Sequence, residues 1–298
     1  MNRRIVLALL AALALLAGAG AWHWHQARLP GRAAVTVAGG DAGGLPRAEA
    51  DTEGFDAKGL QAAVELAGAQ HSAGLLVTRH GHLVVERYFG EVDADSLIDG
   101  GEFSRALLTV AVGIAVAQYG QRAPLPSGDE PGARAAFITR ASGLAYPQFL
   151  SRNVWQPLNA AAARCTGEQI SARAVDWLRV AELLLHDGRF EGTQIVPAGW
   201  VLQMRPSVRG GDRDGTGLHG KLATSGAEPF ASDDTFFMRG PGGTRLWLAP
   251  RLDLAILRIE GSGDDRTGEA RLPNALIRAL RDRPPSTGVD LRELVPNH

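Results

Sequence analysis

The sequence predicts an α/β (α+β) domain whose antiparallel sheet is built from strands at both ends of the chain and flanked by helices. Two β-rich runs meet at a glycine turn near Gly81, which is typical of a hairpin. Three further β-rich runs lie close together between residues 235 and 259. Helical patterns do not alternate with these runs, so a doubly wound parallel sheet is not expected.

Hydrophobic periodicity and turn residues place the individual elements. Strands are predicted over 73–79, 83–89, 235–239, 244–249 and 254–259. Helices are predicted over 55–70, 103–119, 171–186, 197–204 and 269–281. Ser171 is the predicted N-cap of the third helix and Gly188 its stop. The run 103–119 is almost entirely apolar, which indicates a core helix.

The N-terminus has the pattern of an export signal. Arg3 and Arg4 precede an uncharged apolar run over 5–21, and Trp22 and Trp24 follow it. This order predicts an anchor in the cytoplasmic membrane, because the aromatic pair suits the outer interface. A signal peptide cleaved after Ala21 is the alternative. Both readings place the remainder on the periplasmic or extracytoplasmic side.

The chain divides accordingly into a signal anchor or signal peptide (1–25), a linker (26–53), a folded domain (54–283) and a polar tail (284–298). The linker prediction depends on its Ala, Gly and Pro content and on the lack of an apolar period.

Composition excludes some classes of function. Lysine and arginine number 31 against 32 acidic residues, so there is no basic surplus for binding nucleic acid. The single cysteine, Cys165, excludes an intramolecular disulfide and is expected to be a small buried side chain. His23 and His25 lack carboxylate or cysteine support, and the aspartates at 212, 214, 233 and 234 lack EF-hand spacing. No metal or cofactor is therefore predicted.

Six phrases occur in an order that resembles the serine β-lactamase and penicillin-binding protein superfamily, in particular its class C-like and esterase branch. They are 74–88, 107–115, 141–149, 154–158, 183–195 and 240–247. The resemblance implies a fold over roughly 54–281. It also implies a serine that is acylated, a lysine one turn later, a Tyr-x-Asn, and a Lys-Thr-Gly-like strand that completes the oxyanion hole.

The residues that the resemblance requires are absent. In the register of this superfamily, counted back from Gly113, Glu102 occupies the serine position and Arg105 the lysine position. Neither Lys58 nor Lys221 belongs to a Ser-x-x-Lys. Arginine stays protonated and cannot act as the general base.

The other two motifs fail as well. None of the three tyrosines belongs to a Tyr-x-Asn, and the segment before Ala141 is short, which predicts a shortened helical subdomain. The third motif falls at 239–243, where Gly240, Pro241 and Gly242 provide no polar side chain. His186-Asp-Gly188 matches a His-x-Gly variant as text, but it lies at a helix end.

Two hypotheses follow for the degenerate site. Glu102 and Arg105 are three residues apart on a helix, so a salt bridge between them could fill the former active site. Ser104 is the only hydroxyl nearby, with His219 or His82 as candidate bases, although an ordinary polar role is favoured.

The expected function is that of an exported domain that has lost acyl-enzyme chemistry and serves as a binding or scaffold domain. Its ligand would be a small acyl compound or a cell-wall peptide. The alternative is a residual esterase or amidase that acts through a rearranged site at Ser104.

Overall fold

A computed structural model describes residues 33–120, 130–206, 216–220, 234–260 and 271–282. Seven helices lie in this part of the chain: α1 Ala57–Ala69, α2 Glu102–Tyr119, α3 Ala133–Ser142, α4 Tyr146–Leu150, α5 Ala174–Leu185, α6 Ala198–Met204 and α7 Arg271–Arg278. A short π-helical turn, Ser151–Trp155, continues α4.

Twelve strands accompany the helices in the same described ranges. They are β1 Val35–Val37, β2 Gly74–Arg79, β3 His82–Tyr88, β4 Leu97–Asp99, β5 Ala163–Thr166, β6 Gln169–Arg173, β7 Arg189–Phe190, β8 Thr193–Gln194, β9 His219–Gly220, β10 Phe236–Arg239, β11 Arg245–Ala249 and β12 Leu254–Ile259.

The main sheet joins the two ends of the chain, as predicted. Its strand order is β3-β2-β12-β11-β10-β9, and every neighbouring pair is antiparallel. Strand β12 lies at the centre and all six of its residues are buried. A strand covered on both faces needs apolar residues at odd and even positions alike, which explains the near-continuous apolar run over 254–259.

Helices cover both faces of this sheet. On one face α1 and α7 pack against the side chains of Val77, Trp247 and Ile256. On the other face α2 and α5 form a larger core with Leu76, Leu246 and Leu257. Period-two alternation along β2, β11 and β12 therefore divides the core into two layers on opposite sides of one sheet.

A second sheet of four strands, in the order β1-β5-β6-β4, lies beside the helical region. It corrects the predicted start of the third helix. Ser171 does not cap α5: it lies within β6, opposite Asp99 and Arg164, and α5 begins at Ala174. Strand pairing on both sides of Ser171 outweighs its capping preference.

Part of the predicted linker 26–53 belongs to the folded structure. Strand β1 pairs with β5, Val37 is fully buried, and Glu53 is 5% exposed. Gly39 packs so closely on Ala160 that a Cβ atom would lie 2.3 Å from its carbonyl oxygen. Glycine in this stretch thus permits close backbone packing, whereas the composition alone indicated flexibility.

The proposed membrane segment 5–21, His23, His25 and the tail 284–298 lie outside the described residues. No helix in the described part of the chain combines the length and apolarity needed to cross a bilayer.

Candidate functional site

The first turn of α2 holds the position where the resemblance expects a nucleophile. Gly101 precedes it with φ 50° and ψ −117°, a conformation that L side chains rarely adopt. Phe103 is fully buried and packs edge-on against Trp177, with ring centroids 5.4 Å apart. The apolar anchor at Phe103 fixes the helix start, while Glu102 points away from this core.

The Glu102 carboxylate has two partners from the far end of the chain. Its Oε2 atom accepts hydrogen bonds from His219 Nε2 at 2.8 Å and from the Arg239 backbone N–H at 3.1 Å. The Glu102 side chain is 28% exposed and that of His219 is 11% exposed. The two strands β9 and β10 thus close over the start of α2.

Electrostatics keep this carboxylate ionised. Burial acts to raise the pKa of Glu102, but the hydrogen bond and charge of His219, the Arg239 amide and the Arg239 charge outweigh it. The pKa of Glu102 is therefore below its ordinary value. Its position at a helix N-terminus favours the anion further.

Phe237 supports both basic side chains beside Glu102. The His219 ring stacks on the Phe237 ring with centroids 5.3 Å apart, and Arg239 Cζ lies 5.1 Å from the same ring centre. The register of β9 and β10 places Phe237 directly opposite His219. The imidazole is consequently fixed by strand pairing, by stacking and by its hydrogen bond to Glu102.

The turn 240–243 lies against the helix start, as the third-motif position requires. A Cβ atom on Gly101 would lie 3.1 Å from Pro241 Cδ and 3.2 Å from Gly240 Cα. Gly242 has φ 60°, and Gly240 N–H donates to the Thr244 carbonyl oxygen at 2.9 Å. The structure thus brings Glu102, Gly240 and Pro241 together across more than a hundred residues of sequence.

Ser104 lies away from this site. It is 1% exposed, its Oγ accepts from the Ile170 N–H at 2.9 Å, and its hydroxyl donates to the Ile170 carbonyl oxygen at 3.3 Å. Both contacts tie α2 to β6. Of the two candidate bases, His219 instead pairs with Glu102, and His82 Nδ1 lies 2.9 Å from Glu53 Oε1.

Arg105 also points elsewhere, so the hypothesis of a Glu102–Arg105 salt bridge is wrong. The carboxylate is hydrogen-bonded to His219 instead. Arg105 lines a separate surface pocket of about 210 Å³ with Glu130, Arg134 and Glu168. Side chains three apart on a helix can meet, but His219 and the Arg239 amide offer better-placed donors.

The roles of His219 and Arg239 at Glu102 were not predicted. His219 stands 117 residues from Glu102, and nothing in its local sequence, Gly217-Leu-His-Gly220, marks it as the partner. Counting from the third motif did place Arg239 near the site, but the contribution comes from its backbone N–H, which every residue except proline carries.

Comparisons with known proteins agree with this architecture. Neither a family model nor a curated protein matches the chain. Among solved structures, a "putative 6-aminohexanoate-dimer hydrolase" from Bacillus anthracis is similar, with a TM-score of 0.63 and 13% identity over 85% of this chain and 92% of that one.

Two further solved structures share the fold. A β-lactamase from Mycobacterium bovis has a TM-score of 0.55 and 17% identity, covering 73% of this chain and 97% of that one. A family VIII carboxylesterase has a TM-score of 0.56 and 14% identity, covering 76% and 99%. The chain therefore has the fold of the serine β-lactamases, penicillin-binding proteins and related esterases, as its sequence phrases predicted.

Proposed function

We propose that this chain is a non-catalytic member of the serine β-lactamase fold that binds a ligand or partner. The observation that carries the proposal is the Glu102 carboxylate at the nucleophile position, held by His219 and by the Arg239 amide. A carboxylate satisfied in this way is a structural anion and does not replace a serine hydroxyl.

The chemistry of acyl transfer supports this proposal. A serine hydrolase needs a hydroxyl that can lose its proton and N–H donors that are free to receive the developing oxyanion. Here the Arg239 N–H lies at the third-motif position and already donates to Glu102. Arg105, at the lysine position, cannot accept a proton at neutral pH.

The proposed ligand is a small acyl compound or a cell-wall peptide. Similar structures are described as a penicillin-binding protein homologue from Caulobacter crescentus and as the 6-aminohexanoate-dimer hydrolase, β-lactamase and carboxylesterase named above. A partly exposed Glu102 would offer such a ligand a carboxylate acceptor in place of a nucleophile. Attachment to the outer face of the cytoplasmic membrane through residues 5–21 is part of the same proposal.

The test is an acylation and hydrolysis screen of the full chain in detergent solution. Activated esters, a chromogenic cephalosporin and a fluorescent penicillin serve as substrates. Wild type is compared with Ser104→Ala and with the double variant Glu102→Ser, Arg105→Lys. We expect no covalent adduct and no turnover for wild type by mass spectrometry and absorbance.

Turnover by wild type would overturn the proposal, and its loss in a Ser104→Ala variant that circular dichroism shows to be folded would favour a residual esterase or amidase. If wild type is silent, titration with a synthetic stem peptide or an unreactive acyl amide measures reversible binding. Glu102→Gln should weaken that binding, whereas the exposed Glu91→Gln should leave it unchanged.

A further inference from the structure

A second polar cluster lies at the opposite end of the main sheet from Glu102. Glu182 and His186 are one turn apart at the C-terminus of α5, and Asp253 lies in the turn between β11 and β12. Arg239 pairs with Arg245 at the start of β11, whereas Asp253 follows the end of that strand at Ala249. This cluster is therefore separate from the candidate site.

The three side chains lie close together, with the His186 ring between the two carboxylates. His186 Nε2 lies 2.9 Å from Asp253 Oδ1, and His186 Nδ1 lies 3.6 Å from Glu182 Oε2. One oxygen or nitrogen atom from each side chain lies within 4.8 Å of the other two. Donor atoms around a tetrahedral zinc ion are about 3.4 Å apart, so binding would draw these atoms together by up to about 1.4 Å.

The hydrogen bonds around the cluster leave the Nε2 atom of His186 facing Asp253. His186 Nδ1 donates to the backbone carbonyl oxygen of Glu182 at 3.0 Å, which directs Nε2 toward Asp253. Histidines that bind metals almost always donate their second ring N–H to an oxygen in this way. Thr78 Oγ1 donates to Glu182 Oε1, so the outer ligand sphere is present at the carboxylate as well.

The other carboxylate oxygen of Glu182 supplies an independent observation. Glu182 is 3% exposed, and its Oε2 atom is buried without a hydrogen-bond partner. A buried carboxylate oxygen without a hydrogen bond is costly, and His186 Nδ1, 3.6 Å away, lies beyond hydrogen-bond distance. A cation bound at this oxygen would offset this cost.

We propose that Glu182, His186 and Asp253 bind a divalent transition-metal ion, with zinc as the best-suited metal. One imidazole nitrogen and two carboxylate oxygens form a three-ligand set that zinc accepts, and imidazole disfavours magnesium and calcium. The His186 and Asp253 side chains are 39% and 32% exposed, which gives the ion a route from solvent and leaves a fourth position for water.

The ion would replace the hydrogen that His186 Nε2 and Asp253 Oδ1 share in its absence. It would also fix the end of α5 to the β11–β12 turn. The sequence did not predict this site, because Asp253 is 67 residues from His186 and the text His186-Asp-Gly188 pointed to a different motif. The site does not depend on the function proposed above.

Zinc binding to the full chain in detergent tests the proposal. His23→Gln and His25→Gln are introduced in every sample, so that these two histidines do not contribute. The chelator-stripped protein is titrated with zinc against a chromophoric chelator. We expect one zinc ion per chain, and roughly tenfold or greater weakening by His186→Gln or Asp253→Asn.

His71→Gln is the matched control, since His71 is exposed at the end of α1 and outside the cluster. It should leave zinc affinity unchanged. Circular dichroism confirms that each variant is folded, and Asp253→Asn, at a partly exposed position, decides the matter if His186→Gln unfolds. No zinc binding, or equal binding by the parent chain and Asp253→Asn, would overturn the proposal.

Discussion

At the scale of single residues, two polar side chains at the start of α2 face different parts of the fold. Glu102 faces the strands β9 and β10, while Ser104 faces β6 and is buried. The sequence placed Glu102 at the serine position and favoured an ordinary polar role for Ser104, but it did not show which strand each side chain faces. Which helix face meets which strand depends on the core contacts of Phe103 and Trp177.

Ser104 is expected to contribute to stability. Ser104→Ala removes both hydrogen bonds to Ile170 and leaves its N–H without a partner, so we expect a loss of about 1–3 kcal/mol in the free energy of unfolding. Urea denaturation measures it, with Ser96→Ala as the comparison, since the Ser96 hydroxyl has hydrogen bonds only to the exposed Asp93. A loss no larger than that of Ser96→Ala would contradict the structural role.

Ionisation of Glu102 should make the free energy of unfolding depend on pH in the acidic range. Its pKa is lower in the folded chain than in the unfolded one, so its stabilisation is present above the unfolded value of about 4.3 and is lost as pH falls through the folded value. Glu102→Gln should cost about 1–2 kcal/mol at pH 7. The difference from wild type should shrink below about pH 4.

Denaturation curves across this pH range provide the measurement, and Glu91→Gln is the control because Glu91 is exposed. A Glu102→Gln difference that stays constant down to the acid limit would show that ionisation of Glu102 does not stabilise the fold.

At the scale of elements, the strands of the main sheet and the helices that cover it were largely predictable, whereas the second sheet and the helix α3 were not. The hairpin β2–β3, the last three strands and the helices α1 and α2 lie within a residue or two of the predicted bounds. The strands β1, β4, β5 and β6 were missed, since they have three to five residues each and too little alternation to detect.

Alanine substitution should have different effects on stability at two helical glycines. In α2 a Cβ atom on Gly113 would lie 2.4 Å from Trp200 Cδ1, and the Trp200 ring is held by its Nε1–H bond to the Thr109 carbonyl oxygen at 3.0 Å. Gly113→Ala should therefore cost about 1–3 kcal/mol through overpacking, despite the gain in helix propensity.

Gly199 in α6 faces open space, and a Cβ atom added there would meet nothing within 4 Å beyond the backbone of its own helix. Gly199→Ala should thus leave stability unchanged or raise it by up to about 1 kcal/mol. Thermal or urea unfolding of both variants tests the pair, and equal destabilisation would show that the contact between α2 and α6 does not constrain Gly113.

At the scale of the whole molecule, composition and order of elements were enough to predict a sheet shared by both chain ends. The partners inside each site were not predictable, because Glu102 meets His219 and His186 meets Asp253 only after the sheet forms. Sequence spacing describes neighbours on one helix or strand, whereas these contacts depend on strand order.

The single cysteine offers a probe of global opening. Cys165 lies in β5 opposite Val35, is 1% exposed, and burial together with the Glu168 charge raises the pKa of its thiol to about 11. A neutral, inaccessible thiol reacts slowly, so iodoacetamide at pH 8 should label the native chain at least about 100-fold more slowly than the denatured chain. Mass spectrometry gives both rates. Comparable rates would show that the β1–β5 pair opens readily.

The stretch 33–53 spans both sheets of the molecule. Strand β1 completes the four-stranded sheet, and Arg47 pairs with Glu86 of β3 in the main sheet. A protease cut or truncation at Gly54 would leave β5 as an exposed sheet edge, a template for pairing between copies. Cleavage before Ala33 would spare this strand, so the position of the cut would decide between a monodisperse domain and one prone to aggregate.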